Sequence, residues 1–244
     1  MHSIRYRFLA TAITLALLLS ATTGHADNAT HTFDANGRLY QVIGPNWTTT
    51  YTYDGAGNVT NVVKTTTVFS LLSVASRKVH GTAGNFEIPL DTSVAIGGAV
   101  SIEPRAIGAG HTIVFKFNSP ITNPGTAIAY DKLGAQIGSA TTAASGNEVR
   151  VTLTGSTLNT KRVRVEVSGV NGGGTVYSVA MGFLLADVNS GGSVNSIDKI
   201  AVSARSGQSV SMNNAPFDVN ASGGINGSDI LTVNGQMSMV LESP

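Results

Sequence analysis

Between residues 68 and 183 the chain alternates apolar and polar positions in short runs. In Glu148-Val149-Arg150-Val151-Thr152-Leu153 and Arg162-Val163-Arg164-Val165-Glu166-Val167 every second side chain is apolar, with polar or charged residues between. A period of two marks antiparallel strands with one face in a core and one in water. Phe86 to Leu90 and Thr112 to Phe117 repeat the pattern, and Gly, Asn, Ser and Pro clusters separate the runs. From residue 184 the pattern changes. Two Gly- and Asn-rich stretches are each followed by apolar residues at helical spacing: Ile197, Ile200, Ala201 and Ala204, then Ile230, Val233, Met237 and Val240. They predict two helices of about three turns, opening at Asp198 and Asp229, each with these apolar residues on one side.

The turn spacing leaves room for about seven or eight strands in 68–183, enough for one immunoglobulin-like β-sandwich. The fold class is therefore mainly β, a sandwich followed by a small helical pair. Composition agrees: 12% of the 244 residues are charged and 28 are glycine, which favours short strands and tight turns. Cysteine is absent, so stability must come from packed cores or bound metals. Arg5 and Arg7 precede the apolar run Phe8 to Leu19, and Gly24 and Ala26 stand at the −3 and −1 positions of a cleavage site. Residues 1–26 thus read as a signal peptide, too short in its apolar part for a comfortable membrane span. Their removal turns a slightly basic balance slightly acidic. Such a chain carries no electrostatic footprint for nucleic acid and no basic amphipathic stretch for membranes. The expected location is secreted or at the cell surface of a bacterium.

Residues 27–67 hold a short repeat. Phe33-Asp34-Ala35-Asn36-Gly37-Arg38-Leu39 recurs twenty residues later as Tyr53-Asp54-Gly55-Ala56-Gly57-Asn58-Val59, with alternating Thr48 to Tyr53 between. Asp followed by Gly and an apolar residue signals a hairpin turn. The segment resembles two YD repeats, the units that stack into β-shells in Rhs and teneurin-like proteins. Two copies cannot close such a shell, because each unit needs neighbours to bury its faces. The expectation is a remnant or a hairpin arm.

Residues 184–244 carry the chemistry. Asp187-Val188-Asn189-Ser190-Gly191-Gly192-Ser193-Val194-Asn195-Ser196-Ile197-Asp198 is matched thirty-one residues later by Asp218-Val219-Asn220-Ala221-Ser222-Gly223-Gly224-Ile225-Asn226-Gly227-Ser228-Asp229. The two agree at six of twelve positions: 1, 2, 3, 6, 9 and 12. Calcium takes roughly 6–8 oxygens, and a loop wrapping it presents them at 1, 3, 5, 7, 9 and 12, with Gly at 6 for the sharp turn. All the agreements except position 2 fall on a ligand or the turn. The ligand set is Asp187, Asn189, Ser193, Asn195 and Asp198 in loop 1. In loop 2 it is Asp218, Asn220, Ser222, Gly224, Asn226 and Asp229, for up to two Ca2+ ions, with Ser193 and Gly224 acting through their carbonyls. With two carboxylates per loop the expected affinity is weak, ~0.1–1 mM, and looser in loop 1, where Gly191 offers no side-chain oxygen. The alternative is a degenerate loop that keeps the turn without the ion.

This loop–helix, linker, loop–helix plan resembles the type I dockerin, a pseudo-twofold pair of half EF-hands, over residues 184–244. Asp at position 12 suits that family. The resemblance implies a cohesin-like partner met at positions 10 and 11 of each loop: Ser196, Ile197, Gly227 and Ser228. Ile197 reads equally as core. It also implies a setting in extracellular assemblies that degrade polysaccharide.

A search for catalysis finds little. Glu87, Asp91, Glu103, Asp131, Glu148 and Glu166 sit in no recognisable motif, and Glu148 and Glu166 read as solvated strand positions. His80 and His111 lack metal-ligand spacing, and no serine occupies a nucleophile elbow. Ser76-Arg77-Lys78-Val79-His80-Gly81, with Glu103-Pro104-Arg105 and His111 later, is unusual. This opening resembles that of a sandwich module preceding dockerin-like pairs in exported bacterial proteins, over residues 74–183. Two readings stay open there: a structural polar pair of Arg77 with Glu103, or one involving Arg105, and a ligand site. The chain is expected to be non-catalytic, with no catalytic residue and no cofactor beyond calcium. Its leading role is docking to a cohesin-like protein or to its own β-sandwich, with an extracellular glycan as a further candidate partner. The competing readings are a calcium-cemented, adhesin-like surface protein and a glycoside hydrolase.

Overall fold

The computed structural model describes residues 29–44, 47–66, 68–155 and 158–244. The signal-peptide segment lies outside the described residues. The chain divides into two compact units between Thr66 and Thr67.

The first unit is a four-stranded antiparallel meander: β1 (Thr30–Phe33), β2 (Leu39–Ile43), β3 (Trp47–Tyr53) and β4 (Val59–Thr66). The repeat motif explains its turns. Asp34 Oδ1 accepts the backbone N–H groups of Asn36 and Arg38, each at 2.9 Å, while Gly37 turns at φ 75°. Asp54 does the same for Ala56 and Asn58, with Gly57 at φ 91°. An L side chain would be strained at either glycine. Tyr53 Oη donates to the Leu39 carbonyl at 2.7 Å and ties the second repeat to the first. Phe33, Val59, Val62 and Val63 remain exposed, as expected of repeat units without neighbours.

The second unit contains a two-sheet sandwich. One sheet runs β10 (Ser139–Ser145), β11 (Glu148–Thr154), β8 (His111–Phe117), β5 (Leu71–His80), β6 (Gly84–Leu90). The other runs β7 (Ser101–Glu103), β13 (Tyr177–Phe183), β12 (Lys161–Ser168), β9 (Thr126–Tyr130). The described residues hold nine strands, one more than the turn spacing suggested, because three-residue β7, parallel to β13, is too short to show alternation. Ile113, Phe115 and Phe117 with Val149, Val151 and Leu153 meet Val163, Val165 and Val167 with Val179, Met181 and Phe183 in one core. These are the apolar positions of the alternating runs.

The two helices are shorter than their apolar spacing suggested: α1 (Ser196–Ser203) and α2 (Gly227–Gly235). Their inner residues are Val202 and Val233, whereas Ile197 and Ile200 stand in solvent. Helix α2 stops at Gly235, so Met237 and Val240 lie beyond it, and Val240 bridges to Ser193 in an antiparallel pair. A short helix opening from a metal-type loop turns its loop acids inward, which leaves fewer inward positions for apolar residues.

A second core joins the helical pair to the sandwich. Val100, Ile102, Ala180 and Leu184 pack with Val194, Val202, Val219, Ile225, Val233 and Leu241. Gly182 leaves room for this contact, since a Cβ there would stand 2.9 Å from Leu241. Main-chain bonds reinforce it: Ala186 N–H to Pro104 O at 2.8 Å, Ala106 N–H to Val219 O at 2.7 Å and Gly81 N–H to Ala221 O at 3.1 Å.

Gly81 tests this seat. Its φ is 47° and a Cβ would lie 2.1 Å from the Ser222 carbonyl oxygen, whereas at Gly146, also left-handed, a Cβ meets nothing within 4 Å. Gly81→Ala is expected to cost roughly 3 kcal/mol in urea unfolding and Gly146→Ala about 1 kcal/mol. Equal costs would mean that loop 2 does not sit on β5.

Candidate metal centre

The two twelve-residue loops fold alike. Ser190 and Ala221, at position 4, adopt left-handed φ of 57° and 56°, and Gly192 and Gly223, at position 6, take 78° and 100°. The Gly at 6 was legible; the left-handed turn at 4, made without Gly, was not. In loop 1 the Gly191 N–H reaches both Asp187 Oδ1 (3.0 Å) and Asn189 Oδ1 (2.7 Å). In loop 2 the Ser222 N–H reaches Asp218 Oδ1 (3.0 Å) and Asn220 Oδ1 (2.9 Å). One donor shared by two oxygens places those oxygens side by side. Position 12 closes the ring: Asp198 Oδ1 accepts Asn189 N–H and Asp229 Oδ1 accepts Asn220 N–H, both at 3.2 Å.

Asn195 and Asn226 hold position 9, where an oxygen or a water-mediated contact was expected, and both have a second task. Each is the N-cap of its helix, its Oδ1 accepting the N–H of Ile197 or Ser228 at 2.8 Å. Asp198 and Asp229 answer from the third helical position by accepting the N–H of Asn195 and Asn226 at 2.9 Å, completing a capping box. The helices therefore start at Ser196 and Gly227, two residues before the acids. A ligand at position 9 commonly acts through water. Ser222 Oγ bonds the Gly224 carbonyl at 3.3 Å, whereas Gly191 has no side chain to match it. Ser193 and Gly224 hold position 7, next to the buried Val194 and Ile225.

Asp187, Asp198, Asp218 and Asp229 are all fully buried. Among the described residues none of them pairs with Lys or Arg; Asp218 alone has a side-chain partner of opposite type, His80 Nδ1 at 2.8 Å. Burial pushes the Asp187 carboxyl above the usual range against its N–H bonds to Gly192 and Gly191, and the Asp198 charge adds to this. Burial likewise raises Asp229, with Asp218 close by. At Asp218 burial works upward too, but His80 and the N–H groups of Gly223 and Ser222 outweigh it and hold it below the ordinary value. Paired carboxylates taken out of water without a countercharge are strongly unfavourable. The donors fit a hard cation: two carboxylates per loop with amide, hydroxyl and carbonyl oxygens. Among the described residues no group of three or more His, Cys, Asp or Glu gathers that could hold a metal ion, so a cation here would rely on the neutral oxygens beside the two carboxylates of each loop.

The model of the dockerin type I domain family matches residues 185–238. This segment is a type I dockerin domain. The RHS repeat model matches residues 33–67, the meander of the first unit. No curated protein and no solved structure matches the chain. Type I dockerins bind calcium, and dockerin domains bind cohesins. Dockerins and RHS repeats are typical of extracellular proteins. Among the described residues no helix is long and apolar enough to cross a membrane.

Around the dockerin, the sandwich arranges its charges otherwise than expected. Ser76 and Arg77 point to opposite faces of β5. Arg77 reaches Glu87 and Glu148 outside, at 2.8 Å for Glu148. Glu103 pairs with Arg105 inside, at 2.7 Å, with Ser76 Oγ also bonded to Glu103. Glu148 is no freely solvated carboxylate: bonds from Arg77, against the effect of burial, and from Arg150 hold it at about 2. Glu166 pairs with Arg164 at 2.9 Å. His111 lines a cavity of about 80 Å³ with Glu103, Arg105, Leu158 and Phe183, and its Nδ1 has no hydrogen-bond partner among the described residues. Burial pushes its imidazole down to about 4 against the pull of Glu103.

A folded ring at about 4 against 6.5 unfolded means that between these values the unfolded chain binds the extra proton. Stability therefore falls as pH drops from 6.5 to 4, by about 3 kcal/mol from this group. Urea unfolding at pH 7 and pH 4 should show that much less loss in His111→Leu than in the natural chain. Parallel losses would contradict this assignment.

Proposed function

We propose that the protein is a secreted, non-catalytic component whose dockerin, ordered by calcium, docks a cohesin-like partner in an extracellular assembly that degrades polysaccharide. Asp187, Asn189, the Ser193 carbonyl and Asp198 would hold one ion; Asp218, Asn220, Ser222, the Gly224 carbonyl and Asp229 the other. Calcium supplies the positive charge that the four buried carboxylates lack. The chain's own residues do the rest: the N–H groups of residues 191, 192, 222 and 223 aim the first acids, and the capping boxes fix the last acids at the helix starts.

The observation that carries the reading is the free face of the helices. Ser196, Ile197, Gly227 and Ser228 are all exposed. Ile197 is 61% exposed, Ile200 67% and Leu231, the repeat equivalent of Ile200, 70%. Apolar side chains held in water at equivalent places of a twofold repeat suit a partner that reads either half. The core shared by dockerin and sandwich favours a second role beside docking, in which calcium also holds the C-terminal module on the sandwich.

The test is capture on a panel of immobilised cohesin modules with the full chain, in calcium and in chelator. Calcium-dependent capture is expected, weakened about tenfold or more when both halves are changed together in Ile200→Asp/Leu231→Asp, while the calcium-binding heat stays unchanged. Absence of saturable calcium binding up to ~10 mM, or capture indifferent to chelation, would contradict the proposal.

A further inference from the structure

His80 ends β5, 138 positions before the acid it touches. Its ring is fully buried. Phe86 meets it edge to face, with centroids 5.3 Å apart. On one side Arg105 Nη1 stands 3.2 Å from Nε2; on the other Nδ1 stands 2.8 Å from Asp218 Oδ2. A guanidinium has donors and no acceptor. Nε2 must therefore accept, which places the ring proton on Nδ1, where it is donated to Asp218.

Arg105 is itself immobilised. Its Nε and Nη2 bond Glu103 Oε1 and Oε2, both at 2.7 Å. Nη2 also donates to the Ser76 carbonyl at 2.9 Å and Nη1 to the Phe86 carbonyl at 3.0 Å. A chain Glu103–Arg105–His80–Asp218, all buried, runs from the sandwich to the first acid of loop 2. The backbone runs beside it: Ala106 N–H to Val219 O and Gly81 N–H to Ala221 O bracket Asp218. Gly81 and Gly223 permit the approach. A Cβ on Gly223 would lie 2.9 Å from the His80 carbonyl oxygen.

Among the described residues loop 1 has no counterpart: Asp187 accepts from Gly191 and Gly192 N–H, as Asp218 does from Ser222 and Gly223, but no described sandwich side chain bonds to it. Oδ2 of Asp218 takes two donors, Gly223 N–H at 2.8 Å and His80, which fixes the carboxylate plane from both sides.

We infer that loop 2 is a composite calcium site completed by the β-sandwich, with His80 as the positioning residue that orients Asp218 and makes the two loops unequal. The inference rests on the calcium reading above and adds the source of its asymmetry. The Ser-Arg-Lys-Val-His-Gly stretch and Glu103-Pro104-Arg105 then share one purpose. They carry the orientation of a metal ligand from the sandwich core to the dockerin, and the cation at loop 2 in turn holds the sandwich edge.

Groups that orient a metal ligand typically affect affinity by about 10–100-fold. The test is calcium calorimetry on the full chain, in an Asp198→Ala background to isolate loop 2 and an Asp229→Ala background to isolate loop 1. His80→Ala is expected to weaken loop 2 by about 10–100-fold and leave loop 1 within twofold. His80→Asn, which keeps an N–H donor near the place of Nδ1, should restore loop 2 to within about threefold. A packing role alone would not be rescued this way. Loop 2 unaffected by His80→Ala, or no rescue by His80→Asn, overturns the inference and leaves the calcium reading standing. No calcium binding by the natural chain overturns both. Should His80→Ala fail to fold, nitrogen-15 NMR of the natural chain decides. Filling loop 2 must shift the His80 ring resonances and filling loop 1 must not; unmoved resonances overturn the inference.

Discussion

Four carboxylates buried in two loops, with His80 their single basic side-chain partner among the described residues, set the terms for the C-terminal module of this protein. Burying an unpaired acid is among the costlier things a fold can do. Backbone N–H groups orient these acids, and the capping boxes tie two of them to helix starts. Neither supplies a full positive charge. The loops therefore call for a cation, and the neutral oxygens placed beside the acids suit calcium. The short helices follow from the same constraint: with Asp198 and Asp229 facing inward, little of each helix is left for apolar contact.

What the helices cannot bury for themselves, the sandwich covers. Ala180, Ile102 and Leu184 form the floor under Val194, Val219, Ile225 and Leu241. Two loop–helix units of this size have too few residues for a self-sufficient core. Sandwich and dockerin thus behave as one compact unit, and residues 184–244 taken alone would lose the floor of their core. The outward helix faces remain exposed, so the surface seated on the sandwich and the surface proposed for docking are different.

Much of this was legible in sequence because it depends on spacing. Alternation at Val149, Val151 and Leu153 and at Val163, Val165 and Val167 gave the strands and their inward faces. The twelve-residue register gave Asp187, Asp198, Asp218 and Asp229, since a loop around an ion fixes which positions carry oxygen. What depends on contacts across the fold was not legible. His80 lies too far along the chain from Asp218 for any local pattern to join them. Arg77 was read with Glu103 although neighbours in a strand face opposite ways, and the structure pairs it with Glu87 and Glu148 instead. Helical periodicity put Ile197 and Ile200 on one side of a helix without telling a core face from a docking face, and the structure leaves both in solvent. Asn195 and Asn226 stand at a loop position and also cap their helices, and only the helix start shows the cap.

Amide hydrogen exchange of the full chain, with and without calcium, tests the central claim most directly. The account predicts that calcium slows exchange together at Gly191, Gly192, Ser222 and Gly223 in the loops and at Gly81 and Ala106, the sandwich amides bonded to loop 2. Exchange at all six left unchanged by ~10 mM calcium, or slowed in the loops alone, would contradict it.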